Sequence, residues 1–403
     1  KQFIYRELMN KILHHFFDQF VFMNLKKISF GYLHLTDSKG KKHFFGNNKS
    51  LPKAKIKIND PSFCYKILRK GSSGLAESYM KGEFETEDLT SLIELSAKNI
   101  NTTHGFVGFF EFSLIKNFLK NNILRNTKDR SKKNISKHYD LGNSFFSTWL
   151  DKTLTYSCGI FNSSNETLEQ AQINKYNKLI NMVNPTKGDK ILEIGCGWGG
   201  FAEHLAENYD IKLDCITISK EQFFFTKERI RRKGLNHKVN VKMMDYRDVN
   251  KKYDIIISIE MIEAVGEKYL DKYFNVIKNN LSQGGRAAIQ SIVIKNELYN
   301  RYRAKEDFIQ KYIFPGGFLP SVESLNKLSD KSGLKIDQYD LYGTHYSNTL
   351  QKWRERFLNS WDLISKQGFN LNFKKMWNFY FSYCEAGFKS KNIDLIQFSL
   401  CNK

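Results

Sequence analysis

Residues 4–24 space their apolar positions as an amphipathic helix, with Ile12, Phe16, Phe20 and Val21 roughly in register. Strand-like stretches follow at 27–37, 42–45 and 54–58, divided by the turn residues Gly40 and Pro52. Two helical segments come next, Pro61–Leu68 and Thr86–Ser96, around a small loop at Gly71–Gly74. This predicts a small α+β domain over residues 1–104. From 134 onward helical periods alternate with short apolar strands at 190–194, 213–218, 239–243, 255–259 and 286–293. That alternation is the mark of a doubly wound parallel sheet. Thr167–Gln170 fits a capping box opening a helix that stops before Pro185.

The segment between the two units, 105–133, has a different pattern. Phe106, Phe110, Leu114 and Phe118 give it an apolar face, with Lys116, Lys120 and Arg125 opposite and a basic run to Lys133. It reads either as a basic stretch lying in a membrane interface or as a core helix followed by a solvated linker.

Composition narrows the classes. The 403 residues allow two or three domains at ~150 residues each. The net charge is +21, from 63 Lys+Arg against 42 Asp+Glu, yet 33 residues are Phe. A disordered basic tail would not carry that aromatic content. The charge therefore reflects either drift toward lysine or an anionic partner, nucleic acid or membrane lipid. The six cysteines form no CxxC and have no histidine at ligand spacing, so neither a metal site nor a disulfide framework is expected. They read as reduced and intracellular. No apolar run reaches the ~18 residues of a spanning helix, and no secretory segment is expected.

The most informative stretch is 190–202, KILEIGCGWGGFA. A strand enters a run of glycines that lets the backbone turn sharply and approach a ligand closely. Gly195, Gly197 and Gly200 also satisfy the dinucleotide pattern GxGxxG, with Asp214 about twenty residues on. Position weighs against that reading, because a ribose-binding acid belongs at the end of the second strand and Asp214 stands at its start. Glu193, two residues before Gly195, gives instead the E-x-G-x-G-x-G arrangement of S-adenosylmethionine methyltransferases.

Further blocks carry a more specific resemblance. Residues 138–161 (HYDLGNSFFSTWLDKTLTYSCGIF), 192–201 (LEIGCGWGGF), 258–266 (SIEMIEAVG), 311–321 (KYIFPGGFLPS), 345–353 (HYSNTLQKW) and 384–397 (CEAGFKSKNIDLIQ) stand in one order along the chain. In order and spacing they resemble cyclopropane-fatty-acid-phospholipid synthases and the related mycolic-acid and fatty-acid methyltransferases. The resemblance implies a Rossmann-like class I S-adenosylmethionine methyltransferase domain over 134–403, with a helical cap on its active site. It implies cofactor contacts at Tyr156, Ser157, Glu193, Gly195, Gly197, Thr217, Gln222, Asp245 and Tyr246. It also implies a bicarbonate ion acting as general base, held by a cage matching Cys158, Glu263, Ile292 and Tyr346. Two departures bear on that ion and on the product. Glu263-Ala264-Val265-Gly266 replaces the family's EHVG, and Gln290 stands where many members have a histidine.

The implied chemistry is alkylation of a cis double bond, a poor nucleophile, by a sulfonium methyl. The protein must supply proximity, exclusion of water and a local base. Aromatic faces stabilise a nearby cation, which offers Phe145, Phe146, Tyr312, Phe314, Tyr346 and Trp353 a role beside ordinary packing. Cys384, His138 and His345 read as packing or supporting residues, and Lys389 and Lys391 either as solvated cations or as contacts to a lipid phosphate. The expected partner is an unsaturated phospholipid in an anionic membrane, met from the cytoplasmic side without a spanning helix. A homodimer and a reductase partner follow from the resemblance, and no nucleic acid is expected. The competing readings are a methyltransferase of another small molecule and a lipid-binding protein without catalysis.

Overall fold

The computed structural model describes residues 2–102 and 141–403, with side chains from Ile12 onward. The basic stretch 105–133 and His138 lie outside the described residues.

Residues 2–102 hold a four-stranded sheet in the order β2-β1-β3-β4, where β1 is Tyr32–Thr36, β2 Lys42–Gly46, β3 Lys53–Ile58 and β4 Phe84–Glu85. β3 alternates exposed lysines with buried Ala54, Ile56 and Ile58, so one face is wet and the other packs on helices. The first helix, Gln2–Leu25, differs from its expected face: Ile12 and Phe16 are exposed, while Val21, Phe22 and Leu25 are buried. Its last turns reach the sheet, where Phe22 meets His43 and Phe45. The strand expected over 27–37 is confined to β1, because Lys27 and Ile28 still donate backwards to the end of that helix.

The loop expected at Gly71–Gly74 is instead the start of a helix, Ser72–Lys81. Gly74 serves close packing here, since a Cβ on it would lie 2.5 Å from the Lys66 carbonyl oxygen of the preceding helix, Phe63–Lys70. The helix expected over Thr86–Ser96 forms at Leu89–Lys98, capped by Asp88.

The larger sheet has seven strands in the order β10-β11-β9-β8-β5-β6-β7. β5 (Lys190–Ile194), β6 (Lys212–Thr217), β7 (Val239–Met243), β8 (Tyr253–Ile259) and β9 (Leu281–Ile294) pair in parallel. β5 is buried at every position after Lys190, as befits a central strand covered on both faces. The expected helix after Thr167 runs Leu168–Val183 with a complete capping box.

The parallel sheet expected from the sequence carries an antiparallel addition at one edge. β11 (Ile393–Asn402) enters antiparallel between β9 and β10 (Leu334–Leu341). β11 is buried at six successive positions and β10 is a mostly exposed edge, so neither shows period-two alternation.

Helix Leu371–Lys389 joins the two units. It buries Glu385, which pairs with Arg354 and accepts a hydrogen bond from Thr90 Oγ1. Lys70, Lys311 and the Tyr312 hydroxyl all converge on Glu77, and hold its carboxyl down at about 2 against the opposing effect of partial burial.

Candidate active site

The parallel strands end on one side of the sheet, and the loops leaving them line a cavity of about 830 Å³. β5 leads into Gly195, whose φ of +84° is left-handed and whose missing Cβ would meet Met261 Cγ at 2.8 Å. Gly197, with φ +52°, has open space on that side instead. The first glycine lets two loops touch; the second leaves backbone exposed to the cavity.

Every expected cofactor position lines this cavity, from Tyr156 and Ser157 through Glu193, Gly195 and Gly197 to Thr217, Gln222, Asp245 and Tyr246. Thr217 Oγ1 donates to Gln222 Oε1 at 2.9 Å, and Ser219 caps the helix Lys220–Arg232 that carries Gln222. Arg247 fixes the Asp245 carboxylate through Nε at 2.8 Å and Nη2 at 2.6 Å. The Tyr156 and Tyr380 hydroxyls share a hydrogen bond of 2.9 Å. Burial pushes the Glu193 carboxyl up to about 7, against a hydrogen bond from the Cys215 thiol and the charge of Lys175. Asp214 has no place in this cavity. It accepts from Tyr253 across the sheet at 2.8 Å and pairs with Lys242, an interstrand clamp that disposes of the dinucleotide reading.

Beside the glycine loop, the residues after β8 form a second polar cluster. Glu260 stands at the strand's end in a left-handed conformation, φ +49°, and is half-buried like its neighbours Ile259 and Met261. Its Oε1 accepts from the Cys158 backbone N–H at 2.8 Å and from Gln290 Nε2 at 2.7 Å. Its Oε2 accepts from the Tyr346 hydroxyl. Gln397 Nε2 donates to Gln290 Oε1 at 2.8 Å, which fixes the Gln290 amide so that its nitrogen faces Glu260. Glu263 Oε1 accepts from the Ile292 N–H at 2.5 Å.

Two carboxyls so close cannot both carry charge easily. Burial raises both, and the Glu260 charge helps push Glu263 up to about 8. Glu260 has three hydrogen-bond donors and the nearby Lys175 charge, which oppose that rise and favour its charged form over that of Glu263. Lys175 is fully buried, donates to Ser157 Oγ at 2.7 Å, and is pulled down to about 8 by burial.

The family profile for mycolic acid cyclopropane synthetases matches residues 126–398. The chain belongs to this family. It is 34% identical over 343 residues to a tuberculostearic acid methyltransferase of Mycobacterium tuberculosis, covering 83% of this chain and 80% of the relative. It is 35% identical over 356 residues to the cyclopropane-fatty-acyl-phospholipid synthase of Escherichia coli, covering 87% and 88%. The solved cyclopropane synthase MmaA2 of Mycobacterium tuberculosis superposes with a TM-score of 0.63 at 26% identity, over 67% of this chain and 97% of that one. A mycolic acid cyclopropane synthase, CmaA1, solved with S-adenosylhomocysteine and a detergent (SAH and CTAB), gives 0.62 at 26% identity over 68% and 98%. The protein is thus an S-adenosylmethionine-dependent methyltransferase with the Rossmann-like class I fold.

Within this methyltransferase the expected reaction residues divide. Tyr346, Glu263 and Ile292 line the cavity, whereas Cys158 and Gln290 reach it through Glu260. Cys158 acts through its backbone N–H; burial pushes its thiol well up, toward the inert form. Two members of the expected bicarbonate cage, Cys158 and Tyr346, together with Gln290 therefore converge on a carboxylate of the chain itself, so the donors a separate anion would use are already taken.

Of the aromatics offered for cation stabilisation, Phe314 and Tyr346 line the cavity. Phe145, Phe146 and Trp353 are buried in packing with Trp149, and Tyr312 is turned to Glu77. His345 Nδ1 accepts from the Phe161 N–H at 3.1 Å, and Lys389 pairs with Glu385, both supporting roles. Cys384 lines the cavity.

Glu260 and Lys175 were not anticipated. Glu260 sits inside the SIEMIEAVG block and closer to the strand end than Glu263, a position that signals a ligand-facing carboxylate. Lys175 lies on the buried face of its helix with Leu168, Ala171 and Leu179, where a charge is unexpected unless it serves the interior.

Proposed function

We propose that the protein transfers the methyl carbon of S-adenosylmethionine to a cis double bond of an unsaturated acyl chain in a membrane phospholipid. The product is a cyclopropane or a methylene- or methyl-branched chain. One observation carries this reading: the cavity that holds the glycine loop is also lined by Leu68, Leu75, Ile93 and Ile100 of the N-terminal unit. Arg69, Lys70, Arg301, Lys305 and Lys311 line it too. An apolar chain and an anionic head group fit that wall together.

When bound, the cofactor supplies an electrophilic methyl group. The chain's own residues do the rest. The glycine loop, Thr217 and Gln222 hold and orient the cofactor. Ile292 and Phe314 keep the reacting region dry, which strengthens every charge interaction within it. The Tyr346 and Phe314 rings offer their faces to the positive charge that forms on the acyl chain.

The test incubates the protein with trideuteromethyl-labelled S-adenosylmethionine and vesicles of cis-monounsaturated anionic phospholipid, followed by mass spectrometry of the acyl chains. Acyl chains heavier by one labelled carbon are expected; unlabelled lipid with cofactor still bound would refute the reading. The deuterium kept on that carbon separates proton loss from the added carbon from proton loss along the chain.

Among the described residues no helix is long and apolar enough to cross a membrane. Peripheral attachment through basic residues therefore belongs to the proposal, and vesicle binding should weaken as salt rises. Division of the chain into a lipid-facing unit (1–104), a linker (105–133) and a catalytic unit (134–403) belongs to it as well. So do the homodimer and, for a methyl-branched product, a reductase.

A further inference from the structure

We infer that Glu260 is the general base of the reaction, a built-in carboxylate occupying the place expected for bicarbonate. The inference rests on the proposed alkylation and adds to it which group takes the proton.

Three observations converge on Glu260. The first is position: it follows β8 directly, lines the cavity, and has its donors Cys158 N–H and Gln290 Nε2 outside the cavity lining. The second is backbone conformation. A φ of +49° suits glycine and is uncommon for a long side chain, so the fold holds a glutamate where a smaller residue would be more relaxed. The third is donor geometry. A backbone N–H, a fixed amide and a phenol satisfy the two oxygens, much as they would satisfy a planar carbonate. Lys175, buried nearby, adds positive charge without entering the donor set.

The step balances. The π electrons of the double bond form a bond to the methyl carbon as its bond to sulfur breaks, and S-adenosylhomocysteine leaves with that pair. Glu260 then accepts a proton from the added carbon or from a chain carbon. The electrons of the broken C–H bond close the ring or form a new double bond. The proton stays on Glu260 until the products leave and water takes it. No oxidant or external base is required.

The test compares the wild type with Glu260→Gly and Glu260→Gln, using labelled S-adenosylmethionine and cis-monounsaturated phospholipid vesicles. Each protein is assayed in buffer stripped of bicarbonate and again with bicarbonate or formate added. S-adenosylhomocysteine affinity is measured in parallel by calorimetry. Wild-type turnover should be the same in both buffers. Glu260→Gly should lose ~10²–10⁴-fold in turnover without anion, keep its cofactor affinity, and regain part of the rate with bicarbonate or formate. Glu260→Gln, whose amide fills the same space, should lose as much and regain nothing. A wild type that slows when bicarbonate is removed overturns the inference, and so do variants that turn over at the wild-type rate. If Glu260→Gly fails to fold, Glu260→Gln and the wild-type bicarbonate response still decide. A wild type that labels no lipid in either buffer refutes the proposed function itself. An active wild type with active variants refutes only the role of Glu260.

Discussion

Two central strands of the same sheet end side by side and solve the same backbone problem differently. After β5 the chain turns left-handed at Gly195, φ +84°; after β8 it does so at Glu260, φ +49°. At the first turn glycine keeps the backbone bare and, at Gly197, leaves space open to the cavity. At the second turn a side chain fills the space and takes three hydrogen bonds. The contrast separates two tasks. A large cofactor needs room, and a proton acceptor needs a fixed charge among fixed donors.

Breaking the bare turn should have the largest effect. Gly197→Val places a branched side chain in left-handed backbone and in the open space beside it, so cofactor binding should be lost in calorimetry. Retained binding would mean that the cofactor lies elsewhere. At the filled turn, Tyr346→Phe removes one donor to the Glu260 carboxylate and keeps the ring. A hydrogen bond to a charged group is worth ~1.5–3 kcal/mol, so turnover should fall about 10–100-fold with cofactor affinity unchanged.

Glu263 gives the finest distinction. Its amide variant resembles the protonated form that burial favours, so Glu263→Gln should slow turnover far less than Glu260→Gln. It should also change the pH dependence of stability. The folded state keeps the Glu263 proton up to about pH 8, whereas the unfolded chain releases it near 4.5. Between those values wild-type stability should fall with rising pH, by up to about 1.4 kcal/mol per pH unit. Thermal melts across that window should show the variant gaining on the wild type as pH rises; parallel curves would place the proton on Glu260 instead.

The two turns also differ in how far sequence discloses them. The glycine loop is legible because its spacing and Glu193 are local features, and the fold brings it to one cavity with the cofactor residues that the family resemblance implies. β5, β6 and β8 are legible for a similar reason, as mostly buried runs rich in Ile and Leu. Glu260 is hidden because its meaning is non-local: its donors come from residues 158, 290 and 346, on three separate elements. Lys175 is hidden in the same way, since only the folded state shows which carboxylates surround it. β11 escapes because the polar Gln397 and Ser399 interrupt its buried apolar run. The helix at Ser72 escapes because Gly71 and Gly74 resemble a turn, while Gly74 is there to let two helices touch.

The most direct measurement is a crystal structure of the wild type with S-adenosylhomocysteine, grown in bicarbonate buffer. The account predicts the Glu260 carboxylate on the Cys158 N–H, Gln290 and Tyr346, with no separate anion among those donors. A carbonate bound to them, with Glu260 turned away, would contradict it.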